Sequence, residues 1–189
     1  ATFDWSEAAW TKGRSDSESS KLPPLDEGSS SKIPPSRRTR SIRRTMSRWT
    51  GIKVLTAATI VAEIGDLRRF PSAKRFASLL GLSPSEQSSG ETRNRGSITK
   101  AGNRRLRRML VEAAWAYWRS SHISRELQKR SVGTSESVRA IAWNAQSRLN
   151  RRLRALQHRH VPMKKALIAV AGELACAIWA VGQEEPLAA

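Results

Sequence analysis

The sequence predicts an all-α fold, a helical bundle preceded by a disordered N-terminal tail. Apolar residues after Trp49 recur at the 3.6-residue period of a helix in several separate segments. Serine, proline and glycine stand where those segments should begin and end. No segment shows a convincing two-residue alternation, so we predict no β-sheet in this chain.

The first 36 residues are dense in Ser, Pro, Asp and Glu. Such a segment buries too little apolar area to offset the entropy of ordering it, so we expect a disordered tail over residues 1–36. Arginines then arrive without an acid between Arg37 and Arg48, which indicates a solvated basic helix or arm. We assign residues 37–183 to the helical domain and 184–189 to a second short tail.

The helices are expected in the following order. The segment 54–64 predicts a mostly buried helix that ends at Gly65, and Ser72 then caps a short helix that stops at Gly81. A loop over 83–98 leads to a helix over about 99–120. Another begins near Ser135, and the last begins at Pro162 and reaches about Val181. This last helix is apolar nearly all round, so it should be the most buried. We expect four tryptophans to pack in the core or between helices: Trp115, Trp118, Trp143 and Trp179.

Composition points to a polyanionic partner. The chain has 189 residues and a formal net charge of +18, from 34 Lys and Arg against 16 Asp and Glu. Nucleic acid is the usual partner of so basic a protein. The single cysteine, Cys176, excludes an internal disulfide framework and a cysteine-based zinc site.

Three features bear on location and completeness. The apolar run from Ala166 to Val181 is too short to span a bilayer and contains Glu173, so we expect no membrane association. No signal peptide is visible, which favours a cytoplasmic, nucleoid-associated protein. The chain begins with Ala rather than Met, so we expect a fragment of a longer protein.

The turn at Gly51 has two interpretations. The sequence Gly51-Ile52-Lys53 between two helices resembles a helix-hairpin-helix, a module in which backbone N–H groups meet a DNA phosphate. The usual second glycine is replaced by Lys53, which adds a cation. The alternative is an ordinary helix–helix turn with a capping glycine.

A serine loop beside a run of cations is the candidate site. Ser89 precedes Gly90, and seven cations with no acid among them follow between Thr92 and Arg108. A serine hydroxyl among arginines could attack a phosphodiester and store its bond energy as a phosphoserine ester. Ser-Ser-Gly is equally an ordinary loop sequence. The residues that we expect to contact nucleic acid are Gly51, Lys53, Gly90, Arg93, Arg95, Lys100, Asn103, Arg104, Arg107 and Arg108.

A longer pattern resembles a known family. Its parts are Gly51-Ile52, Leu55-Thr56-Ala57-Ala58, Ala62-Glu63-Ile64-Gly65-Asp66, Arg69-Phe70-Pro71-Ser72, Leu80-Gly81-Leu82-Ser83-Pro84, Ser88-Ser89-Gly90, Ile98-Thr99-Lys100-Ala101-Gly102-Asn103, Leu106-Arg107-Arg108 and Val111-Glu112-Ala113-Ala114. This pattern closely resembles the C-terminal domain of insertion-sequence-110 (116/902) transposases, relatives of the Piv/MooV DNA invertases. The resemblance is strong from Trp49 to Trp118 and looser to Val181.

The resemblance implies a DNA recombinase in which Ser89 is the nucleophile. It also implies a RuvC-like domain with four acidic residues that hold Mg²⁺, and nothing in residues 1–48 looks like one. We therefore expect no metal or cofactor in this chain, and Mg²⁺ only with that absent domain. The resemblance further implies a homo-oligomer at full length and, for some members, a structured guide-like RNA. The alternative is a non-catalytic nucleic-acid-binding module or a decayed transposon remnant.

Two other constellations are set aside. His158-Arg159-His160 follows a long helix, where cations suit the negative end of the helix dipole better than they suit a nuclease site. Glu63, Asp66 and Glu112 are expected to pair with neighbouring arginines rather than to bind a metal.

Overall fold

The computed structural model describes residues 37–46, 49–89, 92–119, 129, 132–133 and 135–184. The predicted tail 1–36 lies outside these residues, as does all of the second tail except its first residue. Six α-helices form within the described chain: α1 (Arg37–Met46), α2 (Val54–Ile64), α3 (Ala73–Leu79), α4 (Arg104–Ala114), α5 (Glu136–His158) and α6 (Met163–Glu184). Short 3-10 helices cover Leu67–Arg69 and Trp115–Trp118. The predicted all-α class is confirmed by this architecture.

Helix α6 is the centre of the bundle, as its composition predicts. Helices α3, α4 and α5 pack against it, and its residues from Val170 to Val181 are almost all buried. By length and composition α6 could cross a membrane, but 72% of its most apolar window is buried within the bundle. The one acid of its core, Glu173, faces α5 and forms ion pairs with Arg148 and Arg152. Burial and ion pairing together identify α6 as a core helix.

The helix boundaries in the first half follow the predicted signals. Helix α2 covers Val54–Ile64, and Gly65 follows it with a φ of 71°. The hydroxyl of Ser72 accepts a hydrogen bond from the backbone N–H of Arg75 at 3.3 Å and so caps α3. The turn residues therefore define these ends, as expected from their chemistry.

The prediction that the chain contains no β-sheet is wrong. Strand β1 (Pro84–Ser89) pairs with strand β2 (Thr92–Ile98) as an antiparallel hairpin, with an irregularity between Pro84 and Glu86. The predicted loop over 83–98 is this hairpin. Apolar alternation marks a strand only when one face is buried, and these two strands are polar at nearly every position. Backbone pairing between two strands that are close in sequence forms the hairpin without that signal.

The predicted helix over 99–120 and the tryptophan predictions also need correction. Helix α4 begins only at Arg104, and after Ala114 the chain continues as a 3-10 turn to Trp118. Three tryptophans that were expected to be packed are substantially exposed, at 51% for Trp115, 51% for Trp118 and 41% for Trp143. Periodicity alone does not show which apolar side chains the neighbouring helices leave uncovered. Trp179 is packed against the core as predicted.

Candidate nucleic-acid interface

The β-hairpin is held at its base between α3 and α4. Three backbone N–H groups on the α4 side donate to three carbonyl oxygens on the α3 side. Thr99 donates to Ser83 at 2.8 Å, Lys100 to Gly81 at 3.2 Å and Asn103 to Leu79 at 3.2 Å. These bonds make one continuous backbone junction, so the position of the hairpin depends on how α3 and α4 meet.

Two glycines make this junction possible. Gly81 has a φ of 63° and Gly102 a φ of 92°, both in the region that favours glycine. A Cβ on Gly102 would collide with the carbonyl of Leu79, and one on Gly81 would collide with the carbonyl of Ala101. The two chain segments therefore approach more closely than any side chain would allow.

The hairpin register places the candidate nucleophile at the far end of the hairpin. Ser89 is the last residue of β1 and lies opposite Thr92. Arg93 lies opposite Ser88, and Arg95 lies opposite Glu86. Arg93 is thus one register position from the Ser89–Thr92 pair, and Arg95 is three positions from it. Gly90 and the side chains of Ser89, Arg93 and Arg95 lie outside the described part of the structure.

The start of α4 presents cations to solvent. Lys100 and Arg104 are exposed, and Lys100 has the unusual φ of 55°. The side chains of Arg105 and Arg108 are 70% and 81% exposed. Arg105 was not among the predicted contact residues, although it belongs to the same cationic run. Four cations within nine residues form a surface that can neutralise neighbouring phosphates.

Two residues predicted to contact nucleic acid are used by the fold. The side chain of Asn103 accepts from the Leu106 N–H at 3.0 Å and donates to Glu63 at 2.9 Å, so it caps α4 and links it to α2. The half-buried Arg107 donates from Nη1 to the carbonyl of Leu80 at 3.0 Å. Each of them supports the hairpin base, which is a structural role that the spacing alone did not reveal.

The Gly51 turn packs onto the end of α4. Gly51 has a φ of 80°, and a Cβ there would collide with the carbonyl of Ala113. The Tyr117 hydroxyl donates to the carbonyl of Thr50 at 3.0 Å, and burial raises the pKa of this phenol above its usual value. The close packing explains why a glycine stands at this turn, and the contact of Gly51 with DNA stays a prediction. Lys53 precedes α2 and is exposed, and its contact with DNA stays a prediction.

Two of the three acids that were set aside as metal ligands pair with arginines as expected. Glu63 lies 3.6 Å from Arg105, and Glu112 lies 2.9 Å from Arg108. Asp66 accepts a hydrogen bond from the Arg68 N–H and caps the first 3-10 helix. Within the described residues, no three His, Cys, Asp or Glu side chains gather to hold a metal ion. These residues therefore do not fit the Mg²⁺ that the family resemblance implies.

The two histidines lie where the sequence places them. His158 ends α5 and Arg159 follows as its C-cap. His160 has a φ of 54° in the turn toward α6. This is a helix C-terminus, and it lacks the strand of a paired-histidine nuclease.

Comparison with known proteins gives a consistent result. Residues 43–129 match the Transposase IS116/IS110/IS902 family. The putative transposase y4qE of Sinorhizobium fredii is 44% identical over 134 residues, which are 71% of this chain and 34% of that protein. The transposase for insertion sequence element IS1111A of Coxiella burnetii is 30% identical over 131 residues, which are 69% of this chain and 30% of that protein.

This chain thus spans about a third of the length of these relatives. The matched region runs from α1 through the hairpin and α4, so it contains the cationic surface at the start of α4. The resemblance drawn from the sequence is confirmed: this region of the chain belongs to the IS116/IS110/IS902 transposase family.

Proposed function

We propose that this chain is the DNA-binding, serine-bearing C-terminal part of a transposase, with Ser89 as its nucleophile. The observation that supports this most is the position of Ser89. It lies at the turn end of a polar hairpin whose base joins the cationic start of α4. A hairpin attached to two helices can present one residue to DNA while the neighbouring cations hold the phosphates.

The cations of the site supply backbone affinity. Lys100, Arg104, Arg105 and Arg108 are exposed around the start of α4. Each phosphate that such a cation neutralises releases counterions, so binding should be steeply salt-dependent. Contacts of this kind position DNA without reading its sequence. The target sequence must therefore be selected by other groups.

The proposed chemical step conserves the phosphodiester energy. The Ser89 oxygen loses its proton and attacks the phosphorus, while the bond from phosphorus to one sugar oxygen breaks and that oxygen takes up a proton. The strand remains attached as a phosphoserine ester, and attack by a sugar hydroxyl reverses the step. Arg93 lies opposite Ser88, next to Ser89, whereas the cations of α4 adjoin the other end of the hairpin. Arg93 is therefore the better placed candidate to stabilise the phosphate charge, and the α4 cations hold the DNA backbone.

We assign any metal chemistry to a RuvC-like acidic domain of the full-length protein, since the described residues offer no ligand set. DNA is the partner that the family assignment favours most directly. A guide-like RNA and a homo-oligomer are further proposals drawn from the family resemblance. A DNA substrate also favours a cytoplasmic protein associated with the nucleoid.

The proposal is tested by covalent adduct formation. The experiment uses an exchange protein, which is a full-length relative with its own acidic domain whose corresponding region is replaced by residues 37–183 of this chain. Ser89→Ala is introduced into this exchange protein. The parent exchange protein should form a protein–DNA adduct on labelled element-end DNA, and Ser89→Ala should form none. Ser88→Ala is the matched control, because it removes a hydroxyl one residue away. Equal adduct yields from the parent and Ser89→Ala would remove Ser89 from the mechanism.

A non-catalytic nucleic-acid-binding module is the second candidate. Glu63, Asp66 and Glu112, which are each committed to a cation or a cap, favour it. In that case the exchange protein binds DNA with the same salt dependence but yields no adduct with either serine variant or with the parent. The two functions are therefore separated by the parent protein alone.

A further inference from the structure

A second basic surface lies where α5 turns into α6, apart from the hairpin. We define the α5–α6 basic surface by its five exposed cations: Arg151, Arg154, Arg159, Lys164 and Lys165. Arg151 and Arg154 are one turn apart on the last part of α5, Arg159 caps that helix, and the two lysines lie in the first turn of α6. These residues meet at one end of the bundle because α5 and α6 pack against each other around a short turn.

The described residues offer no acid to balance this surface. The sequence contains no Asp or Glu between Glu136 and Glu173. Glu173 is committed to two other arginines, with 3.1 Å to Arg148 and 3.3 Å to Arg152. None of the five surface cations forms an ion pair with an acid of the described chain. Their charge is therefore available to an external anion.

Helix stability does not explain the two lysines. The first turn of a helix is the positive end of its dipole, where cations are disfavoured. Lys164 and Lys165 stand in the first turn of α6, which has no acid there. The N–H groups of that turn also favour anions. The lysines and the N-terminal end of α6 thus both attract an anion, although the two lysines lower the stability of the helix.

The cationic surface at the start of α4 and the α5–α6 basic surface lie at opposite ends of α6. At its C-terminal end, Gln183 donates to the carbonyl of Leu67 at 3.3 Å. Leu67 follows shortly after Glu63, which binds Asn103 at the start of α4. The α5–α6 basic surface adjoins the N-terminal end of the same helix, which has 22 residues. A helix of that length spans roughly 33 Å, too far for one local contact to cover both surfaces.

We infer that the α5–α6 basic surface binds the phosphate backbone of a second stretch of duplex DNA. This inference rests on the proposed DNA-binding function and extends it to a second contact. Residues 151–165 contain no Phe, Tyr or Trp, so the stacking platform used for single strands is absent from this surface. Phosphate contacts from arginine and lysine suit a duplex, whose backbone charge is dense and regular.

The test compares two triple variants of the full 189-residue chain. Arg154→Gln, Lys164→Gln and Lys165→Gln together remove three charges from the α5–α6 basic surface. Arg40→Gln, Arg43→Gln and Lys74→Gln remove the same charge from exposed positions on α1 and α3. Thermal unfolding monitored by circular dichroism should show that both variants fold as the parent does.

Binding is measured by fluorescence anisotropy on a duplex of about 30 base pairs across a salt series. The first variant should bind at least roughly tenfold more weakly near 0.1 M salt, with a slope of log affinity against log salt less steep by up to about 2.7. The second variant should change much less. A loss in the first variant no larger than in the second would overturn the inference.

Two further measurements distinguish a failure of this inference from a failure of the proposed function. An RNA hairpin of equal charge is titrated in parallel, and a loss confined to RNA would contradict a duplex DNA contact. Two differently labelled short duplexes should show energy transfer on the parent chain and lose it on the first variant. If the parent chain itself fails to bind DNA at low salt, the proposed function fails as well. If only the first variant is unchanged, the second surface alone is refuted.

Discussion

Asn103 Nδ2 donates a hydrogen bond to Glu63 Oε2 over 2.9 Å, and this bond connects the start of α4 to the end of α2. The same side chain caps α4 through Oδ1, which accepts from the Leu106 N–H at 3.0 Å. The backbone N–H of Asn103 also donates to Leu79. One residue therefore joins three elements immediately beside the hairpin, and the cationic surface depends on it.

Asn103→Ala should lower the free energy of unfolding by about 1–3 kcal/mol, because it removes a helix cap and a side-chain hydrogen bond. Asn103→Asp keeps the capping oxygen but places a carboxylate against Glu63. It should retain the cap and lose the bond between the helices. Urea denaturation of the three proteins checks this order. An alanine variant as stable as the parent would mean that water replaces both bonds.

The close approach at the hairpin base gives a second prediction. Gly102→Ala should destabilise the protein by roughly 3 kcal/mol, because the new Cβ meets the Leu79 carbonyl and φ is positive. Gly133 is the matched control, since it has a φ of 78° with nothing within 4 Å of a Cβ. Gly133→Ala should cost only about 1 kcal/mol, from the backbone conformation alone. Equal losses measured by urea denaturation would contradict the packing explanation.

The sequence predicts the helices well because burial and turn chemistry agree there. Helix α2 and the end signal at Gly65 appear as expected, and α6 is buried as its composition requires. The hairpin was missed because its polar strands gain little from burial and are instead held by backbone pairing. The signal that the sequence did offer was the pair of glycines on either side of the hairpin, Gly81 and Gly102. In the structure both have a positive φ and lie at a close approach of the two chain segments.

The site was predicted only in part, for a similar reason. The cationic run from Arg104 to Arg108 is easily recognised in the sequence. Periodicity does not show which of its side chains form hydrogen bonds within the fold and which stay exposed. Arg107 turned out to bind the Leu80 carbonyl, while Arg105 is mostly exposed. Long-range hydrogen bonds decide these roles, and they depend on how α3 and α4 meet.

Glu173→Gln should destabilise the bundle by about 1–3 kcal/mol, because it leaves Arg148 and Arg152 without their anion beside α6. The two arginines are partly exposed, so the loss should be smaller than for a fully buried pair. Glu112→Gln breaks an exposed pair with Arg108 and should cost only about 0.3–0.5 kcal/mol. Thermal unfolding of both variants tests the ratio. Similar losses would mean that burial does not strengthen the Glu173 pairs.

The thiol of Cys176 should be unreactive in the folded protein. Burial raises its pKa to about 12, and the negative charge of Glu173 adds to the rise. At pH 8 the thiolate fraction is then only about 0.0001, so a disulfide reagent should label Cys176 only as the bundle opens. Because this is the single cysteine, the rate reports opening directly. Fast labelling without denaturant would contradict the buried position, and labelling in urea is the positive control.

Arg104 and Arg107 should separate DNA contact from structural support. Arg104→Gln should weaken binding to two unrelated duplexes alike without changing stability, because Arg104 is exposed and phosphate contacts have no base code. Arg107→Gln should also lower the free energy of unfolding, by about 1–2 kcal/mol, because it loses the bond to the Leu80 carbonyl. Anisotropy and urea denaturation on the same preparations test both statements. A loss confined to one duplex would indicate base readout by Arg104, and an unchanged stability of Arg107→Gln would mean that the hairpin base does not need this bond.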